Sequence, residues 1–392
     1  MVPKVSVILP VYNSEAYLNK SITSALSQTL IELEVICIND GSLDSSGKIL
    51  DSLRKTDDRI KILTQDNQGS GYARNNGMAI ARGEYIAFLD ADDWYPNQNT
   101  LETLYCLAKK HNVSICGGSL LKYRNDNFID ELGDNESGLK FEQDGIMNYV
   151  DYQEDYGYQR FIYNRAFIEE NRICFQDYKR WQDPPFFVKA MCISGKFYAI
   201  KQATYCYRAG HQNYDLSERQ IIDALTGIAD NLIISKHYCL PRLHAKTVRH
   251  VLKSIYQNAV LKYLLSGSDT VLNRLIAVNA QIETALAREG GLDIDDGYLL
   301  KPFEDMLIDF SRNTNKRFIE PHDLEKVESE LWKVKRSFSY RIGRLLTFIP
   351  RKFIGIIKCI KDHGLLYTLK YVTRKLFYKV NIIEIADKRR ED

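Results

Sequence analysis

Tyr85-Ile86-Ala87-Phe88-Leu89-Asp90-Ala91-Asp92-Asp93-Trp94 joins five consecutive apolar or aromatic residues to three carboxylates within four positions. An unbroken apolar run of this length suits a strand covered on both faces, as in a parallel sheet with helices on either side. The acids would then stand at the strand's C-terminal end, where open α/β sheets bind ligands. Like charges this close repel, and either solvation or a bound cation relieves the repulsion. Taken alone, the run fits a solvated turn that caps a helix as well as it fits a cation site.

Upstream, short apolar runs alternate with amphipathic stretches, the signature of βαβ units. Val5–Leu9, Leu33–Asn39 and Ile60–Leu63 read as strands; Ala16–Gln28, Ser45–Arg54 and Tyr72–Ala81 read as helices. The expected fold class is therefore α/β, with a mostly parallel sheet flanked by helices. Residues 121–160 are polar and contain Gly and Asp, which suits loops or an antiparallel excursion. Beyond them, Ile221, Ala224, Leu225, Ile228 and Leu232 begin a helical spacing that recurs to Ala287. Three domains are expected: 1–215 with the α/β sheet, 216–332 helical, and 333–392 a basic amphipathic tail.

Other strand ends also carry polar groups. The first strand leads into Pro10-Val11-Tyr12-Asn13, whose ring could support a nucleobase or merely shape a turn. Asp40-Gly41-Ser42 ends the second, as a hydrogen-bond acceptor or as a turn before a helix. Asn67-Gln68-Gly69-Ser70-Gly71-Tyr72-Ala73-Arg74-Asn75-Asn76-Gly77 is a Gly-containing loop opening a helix. Backbone N–H groups and a guanidinium there suit phosphate oxygens, although Arg74 would serve equally as a salt-bridge partner.

Together the ordered series PVYN, DGS, NxGxxxARNxG and FLDADD resembles the inverting family 2 glycosyltransferases of GT-A fold, over about residues 4–96. The resemblance implies that Pro10, Val11, Tyr12 and Asp40 cradle the base of a nucleotide sugar, most often a UDP-sugar, with Arg74 near the base or diphosphate. It makes Asp90 and Asp92 the acids of a D-x-D motif, Asp92 nearest a divalent metal and Asp90 near the ribose; Asp93 receives no assigned share. Carboxylates without His or Cys partners favour Mn²⁺ or Mg²⁺ over zinc, and such an ion stabilises a diphosphate leaving group. Capsule, exopolysaccharide and lipopolysaccharide glycosyltransferases are the implied company.

An inverting transfer needs one general base. In Trp181-Gln182-Asp183-Pro184-Pro185, similar to the family's later acidic motif, Asp183 is the expected base, with Gln182 standing where an acid is common. A capping role at the start of a helix would use the same residue. Asp177 and Asp155 are the next candidates for the base. Trp181 suits a sugar platform or a core position. His211, in Tyr205-Cys206-Tyr207-Arg208-Ala209-Gly210-His211, resembles a family histidine that reaches the metal or diphosphate.

The chain has 392 residues, of which 45% are hydrophobic, enough for several cores, and eight scattered cysteines without a C-x-x-C pair. No signal peptide or transmembrane stretch is expected. Between Lys333 and Lys379 stand thirteen Lys or Arg residues and one acid, Asp362, with Ile342, Leu345, Leu346 and Ile349 at helical spacing. That pattern suits an anionic membrane surface and carries no nucleic-acid motif; a basic helix packed on the acidic remainder is the alternative. The expectation is a cytoplasmic enzyme held peripherally at the inner face of the cell membrane, passing sugar to a saccharide or lipid-linked saccharide. A sugar nucleotidyltransferase or an inactive membrane- or partner-binding scaffold are the competing functions; the first normally has a basic Gly-rich loop after strand one, which this chain lacks there.

Overall fold

The computed structural model describes residues 2–125, 127–129, 138–210 and 215–294; His211 and the basic tail lie outside them. Its elements run β1 (Val5–Val11), α1 (Leu18–Leu26), β2 (Leu33–Asp40), α2 (Ser46–Arg54), β3 (Ile60–Gln65), α3 (Ser70–Ile80), β4 (Tyr85–Phe88) and α4 (Thr100–His111). There follow β5 (Ile115–Arg124), β6 (Asn127–Ile129), β7 (Gly145–Asn148), α5 (Tyr149–Tyr152), β8 (Phe161–Asn164), α6 (Arg165–Glu170), α7 (Asp183–Ser194) and β9 (Lys196–Arg208). Helices α8 (Glu218–His237), α9 (Pro241–Val251), α10 (Ser254–Leu265), α11 (Asp269–Gln281) and α12 (Thr284–Glu289) complete the described chain.

One sheet runs in the order β3-β2-β1-β4-β8-β5-β9-β7, with β6 paired to β5. Strands β1–β4 are parallel, each joined to the next by a helical crossover. Strand β8 then enters antiparallel between β4 and β5, while β5 and β9 are parallel to each other. The sheet is thus mixed, its parallel half bearing the motifs read from sequence.

Strand periodicity sorts the side chains into two cores. Val5, Val7, Leu9 and Val11 of β1 join Tyr85, Ala87 and Leu89 on one face, against Leu18 and Ile22 of α1 and Leu101 and Leu104 of α4. Ile8, Ile36, Ile38, Ile86 and Phe88 face the other way, towards α3 and α7. Helix α3 lies close on that second face because of Gly77: a Cβ there would stand 2.5 Å from Ile8 Cγ2 and 2.8 Å from Ile38 Cδ1. Helices α8–α11 bury a third cluster, into which Trp181 also packs.

Candidate active site

Beneath the acid turn the core is aromatic. The Phe88 ring lies 5.3–5.9 Å from those of Phe175, Phe186, Tyr158 and Tyr163, the first two at near right angles to it. Edge-to-face packing of this kind adds to the burial energy and fixes ring orientation. The strand therefore delivers Asp90 to a defined place.

The three acids differ in their partners. Asp90 accepts from Arg74 Nη2 at 2.6 Å and from Gln159 Nε2 at 3.0 Å. Asp93 is buried; its Oδ2 accepts from the Tyr205 hydroxyl at 2.8 Å and its Oδ1 from the Arg208 N–H at 2.7 Å. Burial, then repulsion from Asp92 and Asp90, pushes the Asp93 carboxyl well above the usual carboxylate range against those hydrogen bonds. Tyr205 also accepts from the Asp90 N–H at 3.1 Å, and Arg208 Nε donates to the Asp92 carbonyl at 3.0 Å. The Arg208 guanidinium carbon lies 4.8 Å from the Tyr17 ring centroid and 5.1 Å from that of Trp94. Asp93 is thus the structural acid of the three: it ties the turn to the end of β9.

Every residue of Arg74-Asn75-Asn76-Gly77 has separate work. Arg74 is 5% exposed, and its guanidinium carbon lies 5.3 Å from the ring centroids of both Tyr158 and Phe175. Its Nε and Nη1 have no hydrogen-bond partner, so these rings supply their contact. Burial alone would lower its pKa, but Tyr158 and Asp90 outweigh that and keep it charged. Asn75 clamps the Phe175 backbone, donating to its carbonyl at 2.8 Å and accepting from its N–H at 2.9 Å. Asn76 donates to Gln65 Oε1 at 2.7 Å.

Asp40 shapes the loop that opens α3. Its Oδ1 accepts from Gln65 Nε2 and the Gln68 N–H, and its Oδ2 from the Gly69 N–H, each at 2.8 Å. The loop passes through Gly69 at a φ of +99°, a conformation open to glycine and strained for L side chains. Of the neighbouring strand end, Pro10 and Val11 are buried in the sheet while Tyr12 is exposed, so Tyr12 offers the available ring face.

Asp183 is the first residue of α7, ahead of Pro184, and no side-chain hydrogen bond caps that helix. Burial raises the pKa of Asp183; Arg74 opposes the rise and Asp90 adds to it. Gln182, beside it, donates to Ser70 Oγ at 2.9 Å, tying the start of α7 to the start of α3. Asp183, Arg74 and Asp90 line one cavity of about 440 Å³, together with Tyr158 and Gln159. Asp155 lines it too, but His250 Nε2 lies 2.9 Å from its Oδ2. Burial would raise Asp155; His250 and Lys246 overcome it and hold the carboxyl well below the usual range, which makes it a poor proton acceptor.

Among the described residues, no group of three or more His, Cys, Asp or Glu side chains converges as a metal cage. Asp90 is already engaged, so the acid turn fits a hard cation only as Mg²⁺ or Mn²⁺ is often held, by one or two carboxylates with substrate phosphate oxygens. Tyr205, Arg208 and Gln159 are the functional neighbours that sequence reasoning missed. Nothing in their local spacing signals them, because the sheet brings them to the turn from more than sixty positions away.

Residues 6–173 match the family model described as Glycosyl transferase family 2. Over 213 residues the chain is 32% identical to the uncharacterized glycosyltransferase EpsJ of Bacillus subtilis, covering 53% of this chain and 62% of that protein. It is 31% identical over 232 residues to the minor teichoic acid biosynthesis protein GgaA of the same organism, covering 55% and 49%. The match thus spans less than two thirds of these relatives. Among solved structures, S. aureus TarS 1-349 in complex with UDP-GlcNAc superposes with a TM-score of 0.60 at 22% identity, covering 72% of this chain and 82% of that one. That likeness concerns the fold, which is the GT-A arrangement. The match to glycosyl transferase family 2 thus covers residues 6–173, which hold the parallel strands and the acid turn.

Proposed function

We propose that the protein transfers a glycosyl group from a UDP-sugar to a saccharide acceptor with inversion at the anomeric carbon. The carrying observation is that Arg74, Asp90 and a carboxyl of raised pKa, Asp183, share one cavity. In the reaction the acceptor oxygen bonds to the anomeric carbon as the bond from that carbon to the diphosphate oxygen breaks. The hydroxyl proton passes to an Asp183 oxygen, whose raised pKa makes it a stronger base than an ordinary carboxylate. Tyr12 offers a face for the base, and Asp90 and Asp92 would hold Mn²⁺ or Mg²⁺ with the diphosphate. Such an ion supplies counter-charge to the leaving group.

The names of the relatives favour synthesis of a surface or wall polysaccharide. Among the described residues no helix is long and apolar enough to cross a membrane. The basic segment from Lys333 supports peripheral attachment to the inner membrane face and a lipid-linked acceptor. Deleting residues 332–392 should release the protein from anionic vesicles in a sedimentation assay; undiminished binding would remove the membrane from this reading.

The central test is Asp183→Asn with UDP-sugars and Mn²⁺. UDP binding should stay near that of the wild type while transfer falls about 10²–10⁴-fold, the usual worth of a general base. Retained transfer would put the base elsewhere.

A further inference from the structure

Asp183 and the segment leading into it lie beyond residue 173, where the family match ends. That segment is fastened to α8. The Tyr178 hydroxyl donates to Asp230 Oδ2 at 2.7 Å, and the Lys179 N–H donates to Asp223 Oδ2 at 2.9 Å. Arg219 Nε, one turn back, holds the same Asp223 oxygen at 3.0 Å. Between the two acids stands Gly227, where a Cβ would lie 2.9 Å from the Trp181 carbonyl oxygen and 3.3 Å from Trp181 Cβ. Spacings of four and three put Asp223, Gly227 and Asp230 on one face of the helix.

The close approach at Gly227 meets an unusual backbone, because Trp181 has φ of +69°. A bulky residue in the left-handed region is an outlier that persists only where its surroundings over-determine it. Here they do. The Trp181 ring is 6% exposed within the third core cluster and meets the His250 ring at 77°, with centroids 5.2 Å apart. His250 is itself held 2.9 Å from Asp155 Oδ2. Gln182 is tied to Ser70, and Asp183 follows directly.

We infer that this face of α8 is a template that sets the direction of the Asp183 carboxyl, with Gly227 and Trp181 as positioning residues for the base. The inference rests on the glycosyl-transfer reading and gives the helical region a part in transfer. Neither Gly227 nor Tyr178 lines the cavity, so both act on the reaction only through the segment they hold. A side chain at 227 must push the Trp181 carbonyl, and the shift passes through Gln182 to Asp183. Misplacing a reacting group by about 1 Å can cost about 100-fold in rate, and a partial shift costs less.

Full-chain wild type, Gly227→Ala, Tyr178→Phe, Val271→Ala and Asp183→Asn are compared with Mn²⁺ for UDP affinity and for UDP release from UDP-glucose, UDP-galactose and their N-acetylamino counterparts, water serving as acceptor. Gly227→Ala should lower kcat about tenfold and Tyr178→Phe about threefold. The donor KM and the UDP affinity should stay within about twofold, since the donor side is untouched. Val271→Ala loosens the third cluster from α11 and should lower the melting temperature with kcat unchanged. Burial raises the pKa of Asp183, Arg74 and Arg180 oppose the rise and Asp90 adds to it. A carboxyl displaced toward water should therefore move the acid limb of the Gly227→Ala rate profile to lower pH.

Alanine inside a helix is ordinarily stabilising. A wild-type kcat and pH profile in Gly227→Ala, with Asp183→Asn inactive, would thus overturn the template and leave the transfer reading intact. An equal loss of kcat in Val271→Ala would also overturn it, as general loosening. Should Gly227→Ala fail to fold, Tyr178→Phe decides on the same readouts. Wild-type UDP release by Asp183→Asn, or no release from any donor by the wild type, would remove the transfer reading and the template together.

Discussion

Tyr205→Phe removes one hydroxyl and leaves the ring in place, so its effect isolates the link between β9 and the acid turn. Two hydrogen bonds disappear: the 2.8 Å donation to Asp93 Oδ2 and the 3.1 Å acceptance from the Asp90 N–H. A bond between neutral groups is worth about 1 kcal/mol and one to an ionised acceptor about 1.5–3 kcal/mol, and the raised pKa of Asp93 draws its bond toward the lower figure. Part of this returns as Asp93 keeps its bond from the Arg208 N–H, so a net loss of about 2 kcal/mol is expected. In a chain of this size that lowers the melting temperature by about 2–3 °C. The same loosening should reach the Asp92 carboxylate, weakening Mn²⁺ binding to the UDP-loaded protein about tenfold in a paramagnetic resonance titration. UDP binding without metal should change little, because Tyr12 and Arg74 stay in place. An unchanged melting temperature together with unchanged Mn²⁺ affinity would refute the claim that Tyr205 positions the turn; destabilisation without the metal effect would make it a packing residue only.

Arg74→Met leaves Asp90 with Gln159 as its remaining side-chain partner. The cost should be about 2 kcal/mol, below the roughly 3–5 of a fully buried pair, because the Asp90 side chain keeps 20% of its surface. UDP-sugar turnover should fall at least about 100-fold; near-normal turnover would show the pair to be structural. The raised pKa of Asp183 sets a pH signature: the base works only when ionised, so turnover should fail in acid at a higher pH than an ordinary carboxylate would allow. For stability the sign is opposite, since a raised carboxyl costs stability as pH rises through its folded value. Asp183→Asn should therefore melt at least as high as the wild type at neutral pH, and a lower melting temperature there would contradict the assignment.

What could be read from sequence was what local pattern encodes. Runs such as Val5–Leu9 and Leu33–Asn39 are apolar because both faces of their strands are covered, and the motif residues follow directly at their ends. Asp183 was singled out by the likeness of Trp181-Gln182-Asp183-Pro184-Pro185 to a family motif, and the fold sets it on one cavity with Arg74 and Asp90. The role of Asp93 was not, since its partners Tyr205 and Arg208 arrive through β9 pairing with β5. Strand β8, four residues long, is too short to announce that it enters antiparallel beside β4. Helix α9 misleads in another way: Lys246 and His250 look like a solvated face, yet they point at buried Asp155. Burial of a charge is a tertiary outcome that periodicity does not encode.

The segment from Asp183 to Arg208 has a consequence for how the protein could adapt. Helix α7 turns at Gly195, which has φ of +68°, and returns as β9, so Asp183, the proposed base, and the clamp on the acid turn are the two ends of one short stretch of chain. Strand β9 is also hydrogen-bonded along β5 and bridges back to Trp94. Under the proposed transfer, such a strap would hold the distance from Asp183 to the leaving group like a gauge block, whatever sugar lies between. Under that proposal, change elsewhere on the cavity wall would leave the chemistry calibrated, whereas an insertion within the strap would spoil transfer to every acceptor at once.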